Sequence, residues 1–352
     1  MAAVDTDNTI VVFAANSGTR FNYIIDWIFR QRLGLNYRIT HDEQDVAALP
    51  FFIAYGRSFP NAFSIPDAYL LWEKKITPHN IAIGEWNIIP TLYATSGHNY
   101  SIPFDIFSAA FFLISRYEEY YDFKADKHNR YPASESIIYK QGWLRRPILD
   151  EWIELFRKEL SAHIDIPIQD FSFRPTYDID IAFSYLHKGR TRTVGAFFRD
   201  LLKLKFSQIG ERISVAQGKK QDPYDSYETL SQWHKQYNYT PLFFILASLQ
   251  TTDFDKNIRP TNPHMQTLIK HMSDEGEIGI HPSYHSDKHP EYRRKEKAIL
   301  EEISDRAITK SRQHYIKLCM PQTYHGLIAD GIADDYSMGY GTHLGFRAGT
   351  GC

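Results

Sequence analysis

The sequence predicts an α/β protein in two parts: a smaller amino-terminal α/β domain, then a parallel sheet or barrel with crossover helices. Three observations carry this expectation. From Phe171 onward short apolar runs alternate with helical patterns, the order that βαβ connections require. A polar stretch with two prolines, SAHIDIPIQDFSFRP (161–175), separates two differently patterned regions and places the boundary near residue 170. The 352 residues are enough for two domains, each with its own core.

The first part opens as strand then helix. Ile10 to Ala14 is an apolar run, Asn16-Ser17-Gly18 is turn chemistry, and Tyr23 to Leu33 has helical apolar spacing. Asn16 to Arg20 resembles a phosphate cradle only in outline, because it lacks the glycine pattern of either nucleotide motif. Residues 40–100 alternate short apolar runs with Pro, Gly and Asn, as strands and loops do. Pro103-Phe104-Asp105 introduces the helix IFSAAFFLISRYEEYY, whose Arg116, Glu118 and Glu119 read as a solvated helix end. Pro147 to Leu160 forms another amphipathic helix.

In the second part, FSFRPTYDIDIAF reads as a strand ending in carboxylates. The basic stretch HKGRTRTVGAFFRDLLKLKFSQIGERISVAQGKK follows, with Val194, Phe197, Phe198, Leu201, Leu202 and Leu204 toward one helical side and Arg199, Lys203 and Lys205 around it. Its expected place is packed on the domain with a solvated basic side, the other reading being a surface that meets an anionic partner. YETLSQWHKQY is helical with Leu230, Trp233 and Tyr237 along one side, and PLFFILAS is a buried strand. Asn262 caps a helix that has Pro263 at its first position and ends at Gly276. EIGI is a short strand leading into HPSYHS, and Pro290 opens the charged helix EYRRKEKAILEEISDR.

Composition narrows the function. Hydrophobic residues at 43% and charged residues at 23% describe a globular chain rather than a disordered one. Aromatics reach 15%, read first as an aromatic core and second as a groove for sugar rings. A net charge of −2 argues against a nucleic-acid partner. Cys319 and Cys352 are too few for a disulfide framework. No signal-peptide pattern and no 18-residue apolar run is visible, so the expected location is cytoplasmic, without a transmembrane segment.

Two groups of residues carry chemistry. Asp178 and Asp180 lie two apart on a strand, so both side chains point to one face, where adjacent carboxylates are costly unless a cation compensates. The bland reading is a solvated strand end. His281 and His285 form an H-x3-H pair directly after EIGI, with Pro282 turning His281 away from helical geometry. That places imidazoles at a strand-to-helix turn, where parallel α/β folds hold their active sites. Two imidazoles and a carboxylate with open positions for water form a recurring catalytic ligand set for zinc and similar metals. His289, before Pro290, reads as a cap or exposed residue.

TYDID resembles the first motif of the polysaccharide deacetylase family, carbohydrate esterases of family 4 with a NodB-type homology domain. HPSYH is similar to the second motif in its histidine spacing, with Pro282 where a hydroxyl residue is usual. SRQHY, with Arg312, looks like the third motif, and ADDYSMGY, with Asp335, resembles the fourth. The four occur in the family's chain order, although Ile179 separates the two aspartates. The resemblance implies a distorted (β/α) barrel over 171–352, and an uncharacterised amino-terminal domain over 1–170. It implies a hydrolase that removes N-acetyl groups from a polysaccharide or glycan. Asp178 would then be the catalytic base, Arg312 its holder and Asp335 a further catalytic residue. Asp180, His281 and His285 would bind a divalent metal, Zn2+ before others. The Leu-x-His of a fifth motif has no match, His325 and His343 standing outside its pattern, so the expectation is a barrel incomplete at its carboxy-terminal end. Arg347 could pair with a carboxylate of the site or close a loop. Two other functions stay open: hydrolysis of another C–N amide bond in a small molecule, and a catalytically decayed glycan-binding barrel.

Overall fold

The computed structural model describes residues 9–97, 99–168 and 170–351. They divide into two compact units. Residues up to Asp126, Tyr131–Phe171 and Met338 onward form the first, and Lys127–Arg130 with Ser172–Ser337 the second. Residues 338–352, read above as the end of the barrel, therefore belong to the first unit.

In the first unit, Thr9–Ala14 (β1), Asn36–Thr40 (β2), Phe52–Tyr55 (β3) and Ala62–Ile65 (β4) form a parallel sheet in the order β2-β1-β3-β4. Ile83–Trp86 (β5) and Ile89–Leu92 (β6) make an antiparallel hairpin. Helices Thr19–Ile25 (α1), Ile106–Ile114 (α2), Ile137–Lys140 (α3) and Ile148–Leu160 (α4) accompany them. Asp105 starts α2 by accepting from the Ser108 N–H at 2.9 Å. Phe21, Phe29, Phe107, Trp152 and Phe156 are fully buried in the core. Much of the aromatic content is thus ordinary core packing.

The helix carrying Arg116 ends differently from the expectation. Arg116 takes a left-handed backbone conformation (φ 54°), which terminates α2 and turns its side chain inward. Arg116 Nε donates to Glu119 Oε1 at 2.8 Å and Nη2 to Glu118 Oε1 at 3.0 Å. Arg347 grips Glu119 from the other side, with Nε at 2.8 Å from Oε1 and Nη2 at 2.5 Å from Oε2. Arg116 also donates to the Arg347 carbonyl oxygen. Arg116 and Arg347 are 0% and 1% exposed, so this is a buried charge network and not a solvated helix end. It ties the 338–352 segment to α2, and Arg347 closes this unit rather than pairing with Asp178 or Asp180.

The second unit holds five parallel strands in sequential order: Thr176–Ile179 (β7), Leu242–Ile245 (β8), Glu277–Ile280 (β9), Lys310–Ser311 (β10) and Asp334–Asp335 (β11). The crossovers are helical. Arg190–Leu202 (α5), Phe206–Ala216 (α6) and Tyr227–Tyr237 (α7) join β7 to β8; Pro263–Glu275 (α8), Pro290–Ser304 (α9) and Gln322–Ala329 (α10) make the later ones. Asn262 caps α8 through the His264 N–H at 2.9 Å, with Pro263 in the first turn. Ile179, Ile245 and Ile280 share a core with Met265, Ile269 and Leu300 of α8 and α9. The α/β class and the parallel sheet are as expected. A closed barrel of this type takes about eight strands; among the described residues the sheet has five, with β7 and β11 at its edges. In α7 the exposed side carries Trp233 and Tyr237 while Ser231 and His234 are buried, because His234 Nε2 meets the Tyr177 hydroxyl of β7 at 2.9 Å. No helix among the described residues is long and apolar enough to cross a membrane.

Removing one partner from a buried ion pair leaves an uncompensated charge and costs about 3–5 kcal/mol. Arg347→Ala is therefore expected to lower unfolding stability of the first unit by about that amount in urea denaturation. A loss below about 1 kcal/mol, the range of surface pairs, would show that the network holds nothing together.

Candidate metal centre

Parallel pairing decides which side chains meet. Asp178 lies level with Phe244 and Phe244 with Gly279, while Ile280 lies level with Ser311. Since side chains alternate along a strand, Asp178, Phe244 and Gly279 share one face, and Asp180, His281 and Arg312 continue it beyond the strand ends. Gly279 is required there. A Cβ at this position would lie 2.6 Å from the Phe244 ring and 3.1 Å from the Lys310 carbonyl oxygen. The ring occupies that space, and the Arg312 guanidinium lies over it, 4.5 Å from its centroid.

Arg312 is fixed on all sides. Its Nη1 donates to Asp178 Oδ1 at 2.9 Å, Nη2 to Thr176 Oγ1 at 2.9 Å, and Nε to the Tyr336 carbonyl oxygen at 3.1 Å. The expected Arg312–Asp178 contact is thus present as an ion pair, across 134 residues of sequence.

Asp180 meets two histidines. Its Oδ1 lies 3.1 Å from His281 Nε2 and 3.4 Å from His314 Nδ1, and those two nitrogens are 3.0 Å apart. Among the described residues this is the one group of three or more such side chains whose ligand atoms converge. Both rings are buried. Asp180 is half-exposed, yet its Oδ1 is shut off from solvent with no well-formed hydrogen bond.

The far side of each ring fixes the near side. His281 Nδ1 lies 2.6 Å from the Arg312 carbonyl oxygen, and His314 Nε2 lies 3.3 Å from that of Phe254. A carbonyl oxygen only accepts, so both of those nitrogens carry the proton. In the neutral rings His281 Nε2 and His314 Nδ1 then present lone pairs to each other and to Asp180 Oδ1. Three acceptors facing one another without a donor repel, and a cation between them removes the conflict. Their separations match neighbouring corners of a tetrahedron about an ion bound at roughly 2.0–2.1 Å, which is about 3.3 Å. The same field attracts protons. Burial acts to raise the Asp180 carboxyl, but where the neighbouring His281 and His314 rings take up a proton, their N–H groups and charge outweigh it and hold the group well below the usual carboxylate range. Burial pulls His314 down, and the Asp180 carboxylate more than offsets this, leaving the ring above the ordinary histidine value.

The structure brings together only part of the expected ligand set. His285 is not in the converging group, which contains His314 instead. The Ser283 N–H donates to Glu296 Oε2 at 3.0 Å and the Tyr284 N–H to Asp255 Oδ1 at 2.9 Å. This turn leaves His285 exposed, lining a pocket with Thr252, Asp255, Tyr292 and Glu296. His314 had a signal in the sequence: it lies two residues after Arg312 in SRQHY, as Asp180 does after Asp178. Tyr315 follows with a left-handed backbone (φ 58°) and its ring centroid 4.7 Å from that of His314, 37% exposed. Such strain in a bulky residue clusters at functional sites.

Asp335 is also placed elsewhere. It accepts from Ser311 Oγ at 2.5 Å, Ser337 Oγ at 2.9 Å and the Ser337 N–H at 3.0 Å. Burial raises its carboxyl, against the lowering effect of these hydrogen bonds. Level with Ser311 rather than Arg312, it braces the ends of β10 and β11. His289 lies at the start of α9, exposed.

Residues 10–165 match a family of unknown function, DUF7033. None of the curated proteins matches this chain. Two solved structures are similar over part of it. IcaB from Ammonifex degensii is 16% identical over 31% of this chain and 53% of its own, with a TM-score of 0.25. The polysaccharide deacetylase Bc1974 from Bacillus cereus is 19% identical over 32% of this chain and 54% of its own, with a TM-score of 0.24. The matched region thus spans about half the length of each.

Two outcomes follow. His314→Ala is expected to lose a bound divalent ion that His285→Ala keeps, measured as metal content after dialysis against zinc; the reverse result would restore His285 as ligand. Glu296, which pins the turn after His281, has its carboxyl raised by burial to about 7. A raised carboxyl stabilises the fold fully below its unfolded value and loses that contribution as pH climbs through the folded value. Glu296→Gln is therefore expected to be more stable than the parent above pH 7 by up to about 3 kcal/mol, and not below pH 4. Parallel pH–stability curves would contradict the assignment.

Proposed function

We propose that the second unit is a metal-dependent hydrolase that removes N-acetyl groups from a polysaccharide or glycan. The observation that carries the reading is the pairing of two functions on one strand. Asp180 joins His281 and His314 in a group of converging lone pairs, and Asp178, two residues away, is not in that group but is ion-paired to Arg312. A ligand carboxylate and a separate, oriented carboxylate are what metal-assisted hydrolysis needs. The order of the TYDID, HPSYH and SRQHY motifs adds the resemblance to polysaccharide deacetylases, with His314 of the third motif taking the ligand role.

A divalent cation bound there, Zn2+ before others, would supply a Lewis acid and lower the pKa of water toward roughly 7. The residues of this chain do the rest. Asp178, oriented by Nη1 of Arg312 and exposed enough to meet substrate, accepts the proton of the attacking water. Arg312 balances the charge of Asp178 and, through Thr176 and Tyr336, keeps it aimed at one place. The Arg312 carbonyl oxygen orients His281, so one residue positions both the base and a ligand. Tyr315 offers an aromatic face beside His314 against which a sugar ring can pack.

The test is acetate release from N-acetylated oligosaccharides by the zinc-loaded protein. Asp178→Asn is expected to keep its metal and lose about 10²-fold or more of turnover, the usual scale for a general base. Loss of metal together with turnover would make Asp178 a ligand and end this division of roles. A zinc-loaded parent protein that releases no acetate from any such substrate would end the deacetylase reading itself.

A further inference from the structure

The α5–α6 hairpin of the second unit is turned inside out for a water-facing element. Val194, Phe198, Leu201 and Leu202 recur at helical spacing along α5 and are 53%, 57%, 40% and 85% exposed. The stripe continues through the turn with Leu204 at 73% and Phe206 at 63%, and onto α6 with Ile213 at 43%. One ion pair lies inside. Asp200, 2% exposed, accepts from Arg212 Nη2 at 2.7 Å, and Arg212 stacks on the Tyr185 ring, 4.7 Å from its centroid.

The hairpin is also the basic part of a weakly acidic chain. Between His187 and Lys220 there are nine Lys or Arg and two acidic residues, a net charge of +7, against −2 for the whole sequence. The two acidic residues are engaged: Asp200 by Arg212, and Glu211 by Lys220 and the Tyr185 hydroxyl. Arg199, Lys203 and Lys205 are exposed beside the apolar stripe. A basic partner for acidic polymer alone has no use for exposed Leu202 and Phe206, and an apolar protein interface has no use for so large a like charge. A bilayer with anionic headgroups accommodates both: apolar side chains enter the acyl boundary while Lys and Arg extend to the phosphates.

We infer that the α5–α6 hairpin docks the protein onto an anionic lipid surface. Insertion is shallow and in the plane of the interface, consistent with helices of 13 and 11 residues that are too short to span a bilayer. The loop at Lys203–Lys205 leads.

The experiment is co-sedimentation of the full chain with vesicles of phosphatidylcholine alone and with about 30% phosphatidylserine, at low and high salt. Binding is expected to the anionic vesicles only, to weaken as salt rises, and to fall at least about tenfold in the double variant Leu202→Glu, Phe206→Glu. Both positions are exposed, so circular dichroism of the variant is expected to match the parent. Three results would overturn the inference: no binding to anionic vesicles at low salt, binding that the double variant leaves unchanged, or concentration-dependent self-association that the variant abolishes, which would assign the face to a second copy of the chain. The readout needs no turnover, so it stands apart from the fate of the hydrolase reading.

Discussion

Two backbone carbonyls set the character of the candidate centre. Those of Arg312 and Phe254 each take a proton-bearing nitrogen from a histidine ring, and this forces the other nitrogen of each ring to face Asp180 as an acceptor. Everything else in the site follows from that constraint. The carboxylate oxygen, closed off from water, has no donor to meet. The rings are buried and cannot turn to water for relief. A positive charge is the missing partner, and the separations of the three atoms suit a small one.

The sheet explains how residues more than a hundred positions apart reach this arrangement. Sequential parallel strands bring the carboxyl ends of β7, β9 and β10 to one edge, where helices begin and the backbone is free to turn. Gly279 opens room for Phe244, Phe244 supports Arg312, and Arg312 serves Asp178 through its side chain and His281 through its carbonyl oxygen. A small residue in the middle of a strand thereby bears on the position of a carboxylate two strands away. The first unit is closed separately, by the Arg116–Glu119–Arg347 network that draws 338–352 back onto α2.

Much of this was legible in the sequence and some was not, for definable reasons. The strands EIGI and LFFI and the Asn262-Pro263 helix start could be read because short apolar runs and capping chemistry are local signals, and the pairing of Arg312 with Asp178 because the resemblance in motif order implies it. The histidine spacing that HPSYH shares with the second motif points to His285, but the turn after Pro282 leaves that ring exposed and outside the converging group. The only mark of His314 in the sequence is the two-residue spacing in SRQHY, which repeats that of Asp178 and Asp180. Asp335 and the buried network around Arg116 depend on partners distant in sequence, which no local pattern reveals. In the basic stretch after residue 187 spacing shows an apolar helical side but not its surroundings: the structure has two helices there and leaves that side exposed instead of packed on the unit.

Diffraction from crystals grown with zinc, collected at the zinc absorption edge, tests the centre most directly. A single strong anomalous peak is expected in the second unit, bonded to Asp180 Oδ1, His281 Nε2 and His314 Nδ1 at roughly 2.0–2.2 Å. A peak coordinated by His285 instead of His314, or none between these three side chains, would contradict it.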